Sequence, residues 1–274
     1  MLMNIKNLIL PTIIASVEAG LAILEVYRQD FAVEEKEDKS PLTLADKRSH
    51  EIILSHLTPF DIPVLSEEGK AIDYHVRKHW DTLWIVDPLD GTKEFVKRND
   101  EFTVNIALVK ENKPIMGVIY VPVLKQLYYA AKDFGAYLIV LDSGFDLNDC
   151  TLEQLVKKSI PVDAHSDRMR PFTIVGSRSH ATRELEEYVE QKRKEHDVVD
   201  FISAGSSLKL CRVAEGSADV YPRLGPTMEW DTAAGHVIAE CAGASVFRAD
   251  NGEPLLYNKE NLLNPWFFVS NGKH

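Results

Sequence analysis

The sequence predicts an α/β protein whose first half is α+β and whose second half is α/β. Three observations predict it. A long apolar run opens the chain, and Ile5, Leu8, Ile9, Thr12, Ile13, Ser16, Val17 and Gly20 fall on one helical face. Short apolar stretches rich in β-branched residues then succeed one another between residues 82 and 131, with turn residues between them. From residue 173 onward, strand-like and helix-like stretches alternate, as they do when helices cover a sheet.

The first helix is expected over residues 5–28. Asn4, Lys6, Asn7 and Glu18 interrupt its apolar run and its basic flank is weak, so an amphipathic helix is a better reading than a signal peptide. No stretch approaches the ~18 uninterrupted apolar residues of a transmembrane span. The charged run 34–39 reads as a solvated turn. Thr43 is the expected N-cap of a second helix ending near Leu57, with Asp46 at its third helical position. Residues 62–65 and 82–86 read as short strands, followed by strands at 102–109, 115–121 and 126–131 joined by short turns, one of them Asn112-Lys113-Pro114. Helices on an antiparallel sheet are therefore expected in the first half.

Residues 142–170 break this rhythm and read as a surface excursion with one short helix around 152–156, near the junction of two domains, 1–165 and 166–274. Beyond it the expected order is strand 173–176, charged helix 183–194, strand 198–202, helix 207–215, strand 218–221 and small-residue helix 231–242.

The chain has 274 residues, 45% of them hydrophobic, enough for a large core in one domain or two packed ones. Its formal net charge of -11 argues against a nucleic-acid binder, which would carry a basic footprint. A small anionic substrate remains open, because bound Mg²⁺ reverses the local field. Cys150, Cys211 and Cys241 form no C-x-x-C pair, which suits reduced thiols in the cytoplasm.

Two stretches carry most of the chemistry, Trp84-Ile85-Val86-Asp87-Pro88-Leu89-Asp90-Gly91-Thr92 and Glu229-Trp230-Asp231-Thr232-Ala233-Ala234-Gly235. Asp87 ends an apolar strand, Pro88 holds it extended, and a turn could aim Asp87 and Asp90 at one point with the Leu89 carbonyl between them. Taken alone, the segment is as well explained by an ordinary turn. Glu67-Glu68 after the strand Val64-Leu65, alone, reads as a solvated acidic turn, and Asp231 as a helix-start carboxylate favoured by the dipole. Together, four carboxylates from three segments suit two or more Mg²⁺ ions, a pairing used to hydrolyse phosphate esters.

These residues resemble a known family. Asp87-Pro88-Leu89-Asp90-Gly91-Thr92 and Trp230-Asp231-Thr232-Ala233-Ala234-Gly235 are similar to the two signatures of the inositol monophosphatase superfamily. Pro41-Leu42-Thr43-Leu44-Ala45-Asp46, Leu65-Ser66-Glu67-Glu68, Gly176-Ser177-Arg178-Ser179-His180, Gly205-Ser206-Ser207-Leu208-Lys209 and Tyr221-Pro222-Arg223-Leu224-Gly225-Pro226-Thr227 resemble its bacterial 3′(2′),5′-bisphosphate nucleotidases of the CysQ type. The resemblance runs through nearly the whole chain, residues 142–170 being the main exception.

The resemblance implies a layered α/β/α/β/α sandwich with the site between its halves. It implies a lithium-sensitive phosphatase of sulfur and nucleotide metabolism, which hydrolyses 3′-phosphoadenosine 5′-phosphate to AMP and phosphate, with the sulfated nucleotide as a further substrate. Glu67, Asp87 and the Leu89 carbonyl would hold one Mg²⁺, Asp87, Asp90 and Asp231 a second, with a weaker third near Glu67. Asp46 and Thr92 would orient and deprotonate the attacking water. Glu67, Asp90, Gly91, Thr92 and Asp231 would also meet the substrate, Ser177 and His180 would contact the nucleotide, and Gly205 with Lys209 would receive its other phosphate. Without the resemblance, Lys209 reads as a solvated lysine, His180 as a surface or capping residue, Trp230 as core, and Arg223 stays undecided. Two alternatives are kept: a phosphatase of inositol phosphates or sugar phosphates, and a non-catalytic metal or nucleotide sensor. A small-molecule partner, no nucleic acid and a cytoplasmic enzyme are expected, with peripheral association at the inner membrane and the oligomeric state left open.

Overall fold

The computed structural model describes residues 4–29, 41–141, 147, 149–166, 169–177 and 182–272. The helices α1 (Lys6–Tyr27) and α2 (Pro41–Leu57) come first. Pro41 opens α2, where a missing N–H costs nothing, so Thr43 lies inside the helix and is not its N-cap. The charged run 34–39 lies outside the described residues.

Next come β1 (Val64–Ser66), α3 (Tyr74–Arg77), β2 (Thr82–Asp90), α4 (Thr92–Val96), β3 (Thr103–Lys110), β4 (Lys113–Val121), β5 (Gln126–Ala131), β6 (Gly135–Val140), α5 (Leu152–Lys158) and β7 (Ile160–Pro161). Strands β1 to β7 form a seven-stranded sheet in sequence order. It is antiparallel except where β1 lies parallel to β2. The described part of the expected surface excursion thus holds not only a helix but also an edge strand of this sheet. A capping box between Thr151 and Gln154 fixes the start of α5.

The second half adds β8 (Phe172–Gly176), α6 (Arg183–Glu195), β9 (Val199–Ser203), α7 (Leu208–Ala214), β10 (Val220–Arg223), α8 (Glu229–Cys241), β11 (Ser245–Arg248) and β12 (Phe267–Ser270). Its five strands run in the order β11-β12-β10-β8-β9. Helices α1 and α2 cover one face of the first sheet, and α8 covers the other. Helix α7 packs on α8 and on the second sheet. Tyr188 of α6 packs its ring 5.3 Å from that of Phe268 on the second sheet. The layers follow as helix, sheet, helix, sheet, helix.

Burial on both faces explains the unbroken apolar run of β2. Leu83 and Ile85 enter the core shared with α7 and α8, while Trp84 and Val86 enter the core under α1 and α2. Alternation of side chains along a strand then turns Asp87 towards α8. The same alternation on β3, where Ala107 and Val109 face α8, turns Thr103 and Asn105 to that side. Helix α1 is long and apolar enough to cross a bilayer by composition, yet Ile9, Ile13, Ala19 and Ile23 are completely buried in the first core.

Gly117 on β4 marks the closest approach of α8, since a Cβ there would stand 2.5 Å from the Ala234 carbonyl oxygen and from Val237 Cγ1. Gly117→Ala should therefore push α8 off the sheet and cost about 1–3 kcal/mol. Chemical denaturation checks this, and an unchanged midpoint would mean that α8 can retreat freely.

Candidate active site

Asp87 does not end a strand at a turn, as expected from the sequence. Strand β2 continues to Asp90 through a bulge: Asp87 pairs with Asn105 and Asp90 with Thr103, with a register shift between them. Pro88 has no N–H to give to a ladder, and a bulge tolerates this. The Ser49 hydroxyl of α2 donates to the Pro88 carbonyl at 2.6 Å, and Asp87 Oδ1 accepts the Leu89 N–H at 3.1 Å. Gly91 then turns the chain with φ +99°. A Cβ at Gly91 would fall 2.1 Å from Ser206 Oγ, so only glycine lets the 205–207 loop close over this point. Thr92 follows, exposed, as the first residue of α4.

Glu67 arrives from β1. The parallel pairing of Leu65 with Ile85 and the Glu67 N–H donated to the Val86 carbonyl at 3.2 Å set Glu67 beside Asp87. Asp231 arrives from the second half. Helix α8 starts two residues earlier than expected, which makes Asp231 its third residue, and Asp231 Oδ2 accepts the Met228 N–H at 2.9 Å. Carboxylate oxygens of Glu67, Asp87 and Asp231 come within 4.8 Å of one another. Asp90 stands next to this trio, its Oδ2 accepting from the Ser207 hydroxyl at 2.8 Å.

Crowding makes these carboxylates hold their protons more tightly. Burial, then Asp90 and Glu67, hold the Asp87 carboxyl well above its ordinary range. Burial, Asp90 and Glu67 push Asp231 up to about 7, against the Met228 N–H and Arg223. Burial, Glu68 and Glu67 push Asp46 up to about 8. Glu67 is raised by burial, Asp90 and Glu68. Asp87 is 1% exposed, and among the described residues no basic side chain pairs with it, Glu67 or Asp231. An all-oxygen donor set with uncompensated negative charge fits a hard divalent cation.

A small open cleft with a cavity volume of about 140 Å³ adjoins the carboxylates. Asp90, Ser177, Ser206, Lys209, Arg223 and Asp231 are among its lining residues. Lys209 is buried, not solvated: its ammonium donates to the Ser206 carbonyl at 2.6 Å and reaches the Ala204 carbonyl at 3.3 Å. Burial lowers Lys209 to about 8, against the attraction of Asp90. The Gly205 N–H is given to Glu101 Oε2 at 2.9 Å. His180 lies outside the described residues.

Sequence and geometry together place the chain among known proteins. The sequence profile of the inositol monophosphatase family matches residues 8–267. The chain belongs to this family. A 3′(2′),5′-bisphosphate nucleotidase CysQ of Salmonella typhimurium (strain LT2) is 49% identical over 259 residues, covering 92% of this chain and 95% of that one. The crystal structure of CysQ from Bacteroides thetaiotaomicron superposes with a TM-score of 0.91 at 54% identity, covering 96% of this chain and 97% of that one. Inositol monophosphatase-II from Staphylococcus aureus MSSA476 gives 0.71 at 25% identity, covering 93% and 85%.

Inositol monophosphatase family members are metal-dependent, in keeping with the acidic trio. Some polar partners escaped the sequence reading. Ser49, Thr103, Asn105 and Glu101 hold the segments that carry the carboxylates; Arg223, which the sequence left undecided, lines the cleft. The signal available for Asn105 was an amide inside the otherwise apolar strand of residues 104–109. Ser207 precedes α7 but makes no capping bond, and its hydroxyl turns to Asp90 and Asp231 instead.

Stability should report the acidic cluster directly. Folded Asp46 and Asp231 keep their protons up to about 8 and about 7, whereas the ordinary value is 3.8. Between these limits the folded state binds more protons, so the stability of metal-free protein falls as pH rises. Lys209 is protonated in both states below about 8 and adds no slope there. Melting temperature in chelator should drop from about pH 5 to pH 8, and Mg²⁺ should restore it most at the upper end, because cation and protons compete. A flat profile without metal would show that the carboxylates are not crowded in solution.

Proposed function

We propose that this protein is a Mg²⁺-dependent 3′(2′),5′-bisphosphate nucleotidase that removes the 3′-phosphate of 3′-phosphoadenosine 5′-phosphate, giving AMP and phosphate, in sulfur assimilation and nucleotide recycling. The sulfated nucleotide, 3′-phosphoadenosine 5′-phosphosulfate, is the second substrate. The observation that carries this reading is the trio Glu67, Asp87 and Asp231, uncompensated by any basic partner among the described residues and opening on a cleft lined by Lys209 and Arg223. Identity of 49% to a named nucleotidase over 92% of the chain supports the nucleotide over an inositol or sugar phosphate.

Glu67, Asp87, the Leu89 carbonyl, Asp90 and Asp231 would hold two or three Mg²⁺ ions. Bound there, the ions supply charge neutralisation for the phosphate and lower the pKa of water. Asp46, which is close enough to Glu67 and Glu68 to feel both, takes the proton of the attacking water, and the Thr92 hydroxyl orients that water. Gly91 and Thr92 offer backbone and hydroxyl donors to the phosphate at the start of α4. Ser177 and His180 contact the nucleotide, and Gly205 and Lys209 face its 5′-phosphate. The first half, 1–165, supplies most ligands and the second, 166–274, the nucleotide contacts. An intact Asp46–Thr92 pair argues against a silent sensor. The enzyme works in the cytoplasm.

Phosphate release from a small panel tests this. Adenosine 3′,5′-bisphosphate should be cleaved in Mg²⁺ with kcat/KM well above that for inositol 1-phosphate or fructose bisphosphate, and chelator should abolish turnover. A preference for inositol phosphate would overturn the nucleotide assignment. Lys209→Ala should lower kcat/KM for the bisphosphate more than for 3′-AMP, by about 1.5–3 kcal/mol for one charge-assisted contact. Because Lys209 also holds the Ser206 carbonyl, an equal loss on both substrates would assign it to loop packing alone.

A further inference from the structure

One polar network on the side of the carboxylate cluster is not used by any step above. The Ser207 hydroxyl stands 2.8 Å from Asp90 Oδ2 and 2.6 Å from the Asp231 carbonyl oxygen. Asn105 Nδ2 reaches Ser207 Oγ at 2.9 Å and Asp90 Oδ2 at 3.3 Å. The Thr103 hydroxyl lies 2.9 Å from Asn105 Oδ1 and 3.4 Å from Asp90 Oδ2. Thr103, Asn105 and Ser207 are all buried.

The protons can be counted. Ser207 has one hydroxyl hydrogen and two acceptors, so it serves either Asp90 Oδ2 or the Asp231 carbonyl at any moment. Asn105 has two amide hydrogens, one for Ser207 Oγ and one for Asp90 Oδ2. Thr103 has one, and at 2.9 Å its better acceptor is Asn105 Oδ1. That bond decides which way the Asn105 amide faces. With the opposite orientation, the amide oxygen would confront the Asp90 carboxylate. Asn105 and Ser207 both approach Oδ2, Thr103 acts on it through Asn105, and among the described residues no protein donor reaches Oδ1. Ser206 completes the hold by donating to the Asp90 main-chain carbonyl at 2.8 Å.

We propose that Thr103, Asn105 and Ser207 are positioning residues that fix the Asp90 carboxylate by its Oδ2 and tie it to the first turn of α8, leaving Oδ1 to a divalent cation. Asp90 belongs to β2 and Asp231 to α8, so Ser207 sets the spacing between two ligands drawn from the two halves of the molecule. Partners of this kind restrict the orientation of a ligand before the ion arrives. The inference rests on the reading of Asp90 as a cation ligand.

The test measures Mg²⁺ and Mn²⁺ binding to the full-length protein by calorimetry, with Mn²⁺ electron paramagnetic resonance as a second readout and no substrate present. Ser207→Ala and Asn105→Ala should each weaken cation binding by about 10–100-fold. Thr103→Val keeps the shape of the side chain, so it tests the same network even where a larger change impairs folding, and it should weaken binding in the same sense but less. The deciding comparison is the cycle with Asp90→Asn. If Ser207 acts through Asp90, Ser207→Ala should change cation affinity little once Asp90 is already Asn, whereas a general loosening of the fold would add its full effect in both backgrounds. Equal effects in the two backgrounds, or wild-type affinity in all three single variants, would overturn the inference. Wild-type affinity in Asp90→Asn itself would instead remove the ligand assignment on which it stands.

Discussion

Electrostatic repulsion among carboxylates that the fold forces together is the constraint on which the rest of the structure depends. Asp87 is buried within a strand packed on both faces, with Glu67, Asp90 and Asp231 around it. Burying such a charge without a partner is expensive, and a polypeptide alone would relax by moving one of the segments away. Three features prevent this. The Val86 carbonyl holds Glu67 by its N–H, the Ser49 hydroxyl holds the Pro88 carbonyl, and the Met228 N–H holds Asp231. The repulsion is thus kept at the site, where a bound cation would relieve it.

The layered architecture makes this possible. A sheet covered by helices on both sides offers two separate cores, and the end of β2 opens beside the second of them, next to α7 and α8. Close packing of α8 on β4 depends on Gly117, Ala233 and Ala234, whose small side chains let the helix start sit near the strand end. Further out, the Arg77 guanidinium donates to Asn258 Oδ1 at 3.1 Å and to the Glu260 carbonyl at 2.8 Å. Glu229, fully buried, accepts from Lys259 Nζ at 2.6 Å. The Arg77 bonds fasten the chain beyond β11 to α3, and the Lys259 bond fastens it to the first residue of α8, bracing the helical turn that presents Asp231. The cleft beside it has mixed charge, with Lys209 and Arg223 facing Asp90 and Asp231, an arrangement suited to a polyanion accompanied by cations.

Much of this was legible along the chain. The period of the opening helix, the succession of strands through residue 131 and the strand–helix alternation of the second half all follow from local pattern, because each burial face repeats at its own spacing. The limits lay where local chemistry is ambiguous. Asp87-Pro88-Leu89-Asp90-Gly91 has the composition of a turn, yet pairing with β3 keeps it in the sheet as a bulge. Strand β6 was passed over although Tyr137-Leu138-Ile139-Val140 has the composition of a strand, whereas the two-residue edge strand β7 is a strand only through its pairing with β6. Thr43 looked like a helix cap, but Pro41 had already started the helix.

The sequence by itself determined the class of the fold, the acidic residues that are candidates for the site and the family to which the chain belongs, since all of these reside in local patterns and residue types. Only the tertiary structure decided which carboxylates meet: Glu67, Asp87 and Asp231 are far apart in the chain, and strand register and helix packing bring their oxygens within 4.8 Å. Tertiary structure also decided that Lys209 is buried against its own loop and that Ser207 serves Asp90 and not the helix start. The physical reason is the same in each case. A side chain's type fixes what it can donate or accept, but the partner is chosen by segments that become neighbours only when the two sheets close on the helices between them.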